Sequence, residues 1–330
     1  MSAATAPTAG GRDSIPPQPH RRSARDSSAS WRFTDRLGLA IAWVLGVGFL
    51  LVTVAIVVFL MAQGLRYLRL QLLVTSPAAG FSESESGGFL DPMIGTLAVA
   101  ALALAIALPA GIGVGVWLSE YGRPTALARI AESTIEMLAG TPSIVFALFG
   151  VLVFQSPILA FVSYENEGVV YGRSFLAAGA MLSLIALPLI VANVREGLQA
   201  IPGHVREASY AVGKTKSATT RRVLLPAARP SVVTGAMLGL GRVVGDTAVV
   251  ILLLGATLRL NPVGDVPILN ALRGTGGTLT TYVYANAPTG EANQPTKAYA
   301  AAFVLLTLVL LINFIVDVAV RRGRRMGWGS

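Results

Sequence analysis

Six apolar runs, each long enough to cross a bilayer, leave this chain few ways to fold. They cover about Leu37 to Met61, Ile94 to Leu118, Thr134 to Phe154, Ser174 to Asn193, Ser231 to Ala256 and Ala298 to Val320. A helix needs about 20 apolar residues to span the hydrocarbon core, and in lipid each backbone polar group must find its partner inside the protein. The expected fold is therefore all-α, a polytopic membrane protein with six transmembrane helices. Composition agrees, with 53% hydrophobic and 13% charged residues over 330 positions and a mean hydropathy of +0.64. The first run is too long for the core of a signal peptide, so 37–62 reads as a true first span.

Breakers sit inside the later runs. Pro109 and glycines 111, 113 and 115 interrupt the second, Gly140-Thr141-Pro142 the third, and Pro188 the fourth. Such breaks are tolerated where protein surrounds the freed backbone groups, which predicts a packed bundle rather than lone anchors. Gly111 and Gly115 form a G-x-x-x-G pair that lets a neighbouring helix approach. Residues 1–36 are rich in Ser, Ala, Pro and Arg without apolar periodicity and read as a disordered leader. A polar segment follows the first span, with Ser82 to Gly88 as its flexible centre. The compact bundle is expected over 91–320, a long outer segment over 257–297, and a basic tail over 321–330. Placing both termini inside puts 19 of the 26 Lys and Arg on the cytoplasmic side, where basic loops are retained.

The longest basic loop, Arg195 to Pro226, joins the fourth and fifth runs. Leu198, Ile201, Val205, Ala208 and Val212 recur at spacings of three and four, which predicts one apolar stripe broken near Pro202-Gly203. Such a stripe can lie on the lipid interface or be covered by a partner. Glu207-Ala208-Ser209, Gly213, Val223 and Leu225-Pro226 match every fixed position of E-A-[AS]-x3-G-x9-[IV]-x-L-P. The loop thus resembles the E-A-A loop of bacterial ABC-importer permeases, which folds as short cytoplasmic helices and docks into a groove on the ATPase. The resemblance implies ATPase coupling through Glu207, Ala208, Gly213, Leu225 and Pro226, with Glu207 as the charged contact and Gly213 as the turn.

Arg242 and Asp246 lie within the fifth run, and Arg242 is about 17 Å from Ser231 at 1.5 Å per residue, near the bilayer midplane. A guanidinium there costs roughly 2.5 to 3.5 kcal/mol, so it turns away from lipid. Asp246, one turn on, is placed to neutralise it. Gly235, Gly239, Arg242 and Asp246 fall on one stripe that is expected to face the bundle interior. The pair is either a structural ion pair or an anion site, for which arginine's planar fork suits a tetrahedral oxyanion. In the second case Asp246 would accept a hydrogen bond from the proton of phosphate, and sulfate would meet only repulsion.

Glu120-Tyr121, Leu138 to Val145, Arg206 to Gly213 and Gly241 to Ala248 together resemble the PstA-type permease of the high-affinity phosphate ABC importer, over about residues 91 to 320. What this implies is a MetI-like bundle in the cytoplasmic membrane that pairs with a homologous, PstC-like permease. A PstB-like ATPase dimer would drive it, and a PstS-like extracytoplasmic protein would deliver inorganic phosphate. Arg242 matches the family's arginine on the phosphate path, with Thr247 beside it. The chain departs from the family in having Asp246 where a glutamate is usual. It also has Ala192 where a second arginine is usual; Arg195, three residues on, is the expected substitute. Other readings left open are a permease for sulfate or molybdate and a membrane scaffold or sensor that does not transport.

Several chemistries are excluded. The chain has no cysteine, and only His20 and His204, so neither thiolate nor histidine metal sites are available and no cofactor is expected. Val212-Gly213-Lys214-Thr215 resembles the end of a phosphate-binding loop, but Ala208 stands where its first glycine belongs. Glu165 and Glu167 read as solvated, no Ser-His-Asp set exists, and the basic residues gather at membrane boundaries rather than on a nucleic-acid-binding face. The expected chain is a transporter subunit and not an enzyme, with membrane lipids, its partner subunits and phosphate as its contacts.

Overall fold

The structure is a computed structural model that describes residues 33–78, 87–122, 125–163, 172–255, 272–290 and 294–326. Nearly all of the leader, Ser82 to Ser86, Glu165, Glu167 and most of the outer segment's first half lie outside the described residues. Two compact units divide between Val57 and Val58. In the first, helix α1 (Phe33–Tyr67) begins, and its large apolar side chains are exposed along its length, as expected of a surface meant for lipid or protein rather than water.

In the second unit α1 ends, followed by α2 (Leu70–Val74) and α3 (Leu90–Val116), which continues into a π-helical turn over Trp117–Tyr121. Then come α4 (Ala126–Gly140), α5 (Ser143–Phe154), α6 (Phe175–Gln199) and α7 (Gly203–Ala211). Helix α8 (Lys216–Thr219) passes through a π-helical turn (Thr220–Leu224) into α9 (Leu225–Val244), and α10 (Ala248–Leu254), α11 (Leu279–Asn286) and α12 (Pro295–Met326) complete the order. Among the described residues five helices are long and apolar enough to span a membrane, or six if the bent pair α4 and α5 forms one span.

The centre is the packing of α3, α6 and α9. Lipid is as apolar as leucine, so close contact rather than burial from water holds such helices together. At Gly111 an added Cβ would lie 2.5 Å from Ile190 Cγ2, and at Gly115 one would lie 2.7 Å from Val194 Cγ1, so the G-x-x-x-G face of α3 receives α6. The buried Gly235 and Gly239 bring α9 against Asn193 and Ile190 of α6, the same Ile190 that Gly111 of α3 meets. A second cluster lies around α11, where Phe89 meets Tyr282 edge to face at 5.7 Å and Thr96 Oγ1 accepts a 2.9 Å bond from the Leu279 N–H.

Several helix boundaries differ from the sequence reading, α1 and α12 extending past both read ends and α12 taking in the start of the basic tail to Met326. The third run is two helices bent by 105° at Thr141-Pro142, and α4 begins at Ala126 rather than at Thr134. Thr125 starts it early by capping the Ala128 N–H, while Pro142, unable to donate, forces the bend. Helix α6 runs on to Gln199, so Arg195 belongs to a helix and not to the loop. The bias of Pro202 against helix at Ile201 ends it instead. The fifth span starts at Lys216 rather than Ser231, and the π-helical turn at Thr220–Leu224 carries the chain into α9 just before Pro226, whose ring cannot donate to the preceding turn. It ends at Val244 rather than Ala256. The outer segment also contains a helix, α11, capped reciprocally by Thr278 and Thr281.

Candidate functional site

Two groups of predicted residues occupy different places. The first is the break between α9 and α10. Arg242 is in the last turn of α9, and Asp246 caps α10 by accepting a 2.9 Å bond from the Val249 N–H. Asp246 is buried at 4% exposure, whereas Arg242 is exposed and makes no ion pair among the described residues. The expected neutralising pair therefore does not form, because the helix ends between the two residues and the carboxylate is used as a cap. The shared stripe fails for a related reason. Gly235 and Gly239 lie in a close seam against α6, where an added Cβ would sit 3.0 Å from Asn193 Cβ and 3.3 Å from Ile190 Cγ1, Leu240, Val243 and Val244 carry the packing above it, and Arg242 is left on the open face. Gly241 and Gly245 on either side are exposed too, and nothing lies within 4 Å of a Cβ built at Gly241. The midplane estimate counted from Ser231 is likewise superseded, since α9 belongs to a helical run that begins at Lys216. Thr247 is half-buried and its carbonyl accepts the Ile251 N–H at 3.0 Å, opening α10.

Arg195 projects from α6 one turn beyond the exposed Ala192, and both line an open groove with Glu196, Gln199 and Ala200. Its Nη2 donates to Glu132 Oε1 of α4 at 2.6 Å, with both side chains about a quarter exposed (23% and 25%). Among the described residues its buried Nε has no hydrogen-bond partner. Arg195 thus shares a groove with Ala192, with its charge matched by Glu132, a residue that sequence spacing did not single out.

The second group is the segment that joins α6 to α9. Pro202 opens α7, and Gly213 ends it at φ +77°, a left-handed conformation that costs a residue with a Cβ. The N–H groups of Gly213 and Lys214 close the end on the carbonyls of Tyr210 and Ser209 at 2.9 and 3.3 Å. Thr215 then caps α8. The apolar stripe read across this segment is divided: Leu198 is fully buried in α6, Ile201 and Val205 are half-buried, and Ala208 and Val212 are exposed. The division follows from the change of helix direction at Pro202. Glu207 and Ala208 stand on the exposed face of α7 with His204 and Ala211, while Leu225 and Pro226 are half-buried at the start of α9. On the inner face, Arg206 reaches Glu120 at 2.7 Å and Ser209 meets Thr219 at 2.9 Å.

The comparisons with known proteins bear on both groups. Residues 107–325 match the family model of the binding-protein-dependent transport system inner membrane component. The chain is 31% identical over 319 residues to the phosphate transport system permease protein PstC of Xylella fastidiosa, covering 92% of this chain and 93% of that protein. It is 35% identical over 246 residues to the phosphate transport system permease protein PstA 1 of Mycobacterium tuberculosis, covering 73% and 74%. Similarity thus extends to both permease types, not to the PstA type alone. Among solved structures, an inward-facing MetNI methionine ABC transporter chain matches with a TM-score of 0.51 and 25% identity over 71% of this chain and 94% of that one. A bacterial alginate ABC transporter chain shares the fold at a TM-score of 0.59 and 17% identity, over 88% and 95%. With its several membrane-spanning helices, its MetI-like fold and a match over most of its length, the chain belongs to the binding-protein-dependent transport system inner membrane component family, as a multi-pass membrane permease.

Proposed function

We propose that this chain is one of two homologous permeases that form the path for inorganic phosphate in an ABC importer. It binds a PstB-like ATPase dimer through α7 and receives phosphate from a PstS-like extracytoplasmic protein. The observation that carries the reading is Arg242, a permanent charge on an uncovered face beside a helix break within the apolar bundle. Facing lipid, it would cost roughly 2.5 to 3.5 kcal/mol. A water-filled path shared with a second permease removes that cost, and the exposed Gly241 and Gly245 leave room there for an anion. A broken helix at membrane depth is itself tolerated where it lines such a cavity. The phosphate permeases of Xylella fastidiosa and Mycobacterium tuberculosis named above support phosphate over sulfate or molybdate.

In this reading Arg242 is the main anion-holding group. Thr247 lies next to it, and Asp246 sets the shape of the break and excludes fully ionised oxyanions. Arg195 acts after release from Glu132. Glu207, Ala208 and the Gly213 turn form the ATPase contact on the cytoplasmic side, where both termini lie. The test is uptake of radiolabelled phosphate at low external concentration by cells lacking the chain, complemented with wild type or Arg242→Ala at equal expression. Wild type restores uptake and Arg242→Ala does not; restoration by both removes the charge from the path, and restoration by neither removes phosphate.

A further inference from the structure

The inner face of α7 carries an arrangement that ATPase docking alone does not explain. Arg206, on α7, bonds the end of α3 and the end of α6 with one guanidinium. Its Nη2 donates to Glu120 Oε1 at 2.7 Å, and its Nε reaches the same carboxylate at 3.3 and 3.4 Å. Its Nη1 donates to the Ile201 carbonyl and its Nη2 to the Leu198 carbonyl, both at 2.8 Å. Those carbonyls belong to the last turn of α6 and the residues just past it; the Leu198 carbonyl also accepts the Ile201 N–H at 3.4 Å, so the guanidinium adds to the closure of the helix end. Glu120 sits in the π-helical turn that ends α3, its side chain only 6% exposed. The fork geometry of arginine fits this role; a lysine point charge cannot hold the carboxylate and both carbonyls in one plane.

Two neighbouring contacts reinforce the same place. Lys216 Nζ lies 4.9 Å from the centroid of the Tyr121 ring, joining the start of α8 to the end of α3. The buried Ser209–Thr219 hydroxyl bond joins α7 to α8. The elements gathered here are also the ones that pack most closely higher up, through Gly111 and Gly115 of α3 against α6. Arg206 faces this junction while Glu207, the next residue, faces outward.

We infer that the Glu120–Arg206 pair is the joint through which a displacement of α7 moves α3 and α6 as one body, and that its role is transmission rather than docking. Both are positioning residues. The inference rests on the reading of α7 as the ATPase contact. Without the pair, α7 is free to swing on the Pro202 and Gly213 turns, and the ATPase closes without moving the helices that line the path.

The test uses the purified complex with its ATPase, in wild type, Glu120→Ala, Arg206→Lys and Glu120→Gln. Two quantities are read: phosphate moved per ATP hydrolysed, and the ATP-dependent change in thiol labelling of Gly113→Cys, introduced on the exposed side of α3 into a chain with no native cysteine. Glu120→Ala and Arg206→Lys are expected to keep the ATPase bound and hydrolysing within twofold of wild type. Both readouts are expected to fall at least tenfold. Glu120→Gln, which keeps an acceptor for the guanidinium, recovers part of each. Wild-type values of both readouts in Glu120→Ala overturn the inference. So does loss of the ATPase from Glu120→Gln and Arg206→Lys, which makes the pair a docking or folding element. If the wild-type complex changes its labelling with ATP but moves no phosphate, the substrate reading fails and the labelling still decides the joint.

Discussion

Arg242 differs from Asp246 and Arg195 in having no ion pair or side-chain hydrogen bond among the described residues. Asp246 is committed to the Val249 N–H, and Arg195 is committed to Glu132. From this follows an order of effects: Arg242→Ala lowers phosphate uptake by at least tenfold, Arg242→Lys by less because it keeps charge but loses the planar fork, and Arg195→Ala least. Initial uptake rates at equal expression check the order, and an Arg195→Ala defect larger than that of Arg242→Ala contradicts it. Gly213 is tested differently. Its φ of +77° makes Gly213→Val costly by about 1 to 2 kcal/mol of local strain, so the α7 to α8 turn reshapes. The expected outcome is reduced co-purification of the ATPase with the bundle still folded, and undiminished co-purification speaks against the turn as part of the contact.

What was legible at this scale was residue identity and not pairing. Arg242, Asp246 and Gly213 stand out in the sequence because charge in an apolar run and glycine in a motif are local signals. Glu120 and Arg206 were visible only as members of separate matching stretches, since 86 positions separate them and no local periodicity joins them. Glu132 gave no signal at all, because one carboxylate at the end of an apolar run looks like any solvated charge.

At the scale of elements, hydropathy found each of the long apolar helices but misplaced their ends. Runs of apolar residues mark what lies in lipid, whereas helix ends are set by caps and prolines that hydropathy does not weigh: Thr125 for α4, Pro202 for α6, the π-helical turn before Pro226 for α9. The break at Gly245-Asp246-Thr247 was hidden inside a continuous apolar stretch and became visible only through the Asp246 cap. The G-x-x-x-G pair was read correctly as a close-approach face. Gly111→Leu should therefore destabilise the α3 and α6 packing by about 1 to 3 kcal/mol, as overpacking of a tight interior does. Thermal unfolding of the detergent-solubilised protein checks it against Gly113→Leu, whose position is open and which should unfold close to wild type.

For the whole molecule, the distribution of basic residues predicts that the α7 to α8 segment is cytoplasmic and that the residues after α11 lie outside. The absence of cysteine makes this directly testable. An impermeant thiol reagent should label Thr289→Cys in intact cells and Ser217→Cys only after permeabilisation, both positions being exposed. The reverse pattern inverts the topology and removes α7 from the ATPase. If the orientation holds, the bundle presents Glu207 to an ATPase on one side and the open Arg242 face to a second permease along the path between the two sides.

ATP-driven phosphate accumulation in liposomes containing the purified complex tests that account most directly, with wild type and Arg242→Ala compared in the presence and absence of excess sulfate. The account predicts ATP-dependent accumulation by wild type that sulfate leaves unchanged, and ATP hydrolysis with little accumulation by Arg242→Ala. Equal accumulation by both proteins, or suppression of the wild-type signal by sulfate, contradicts it.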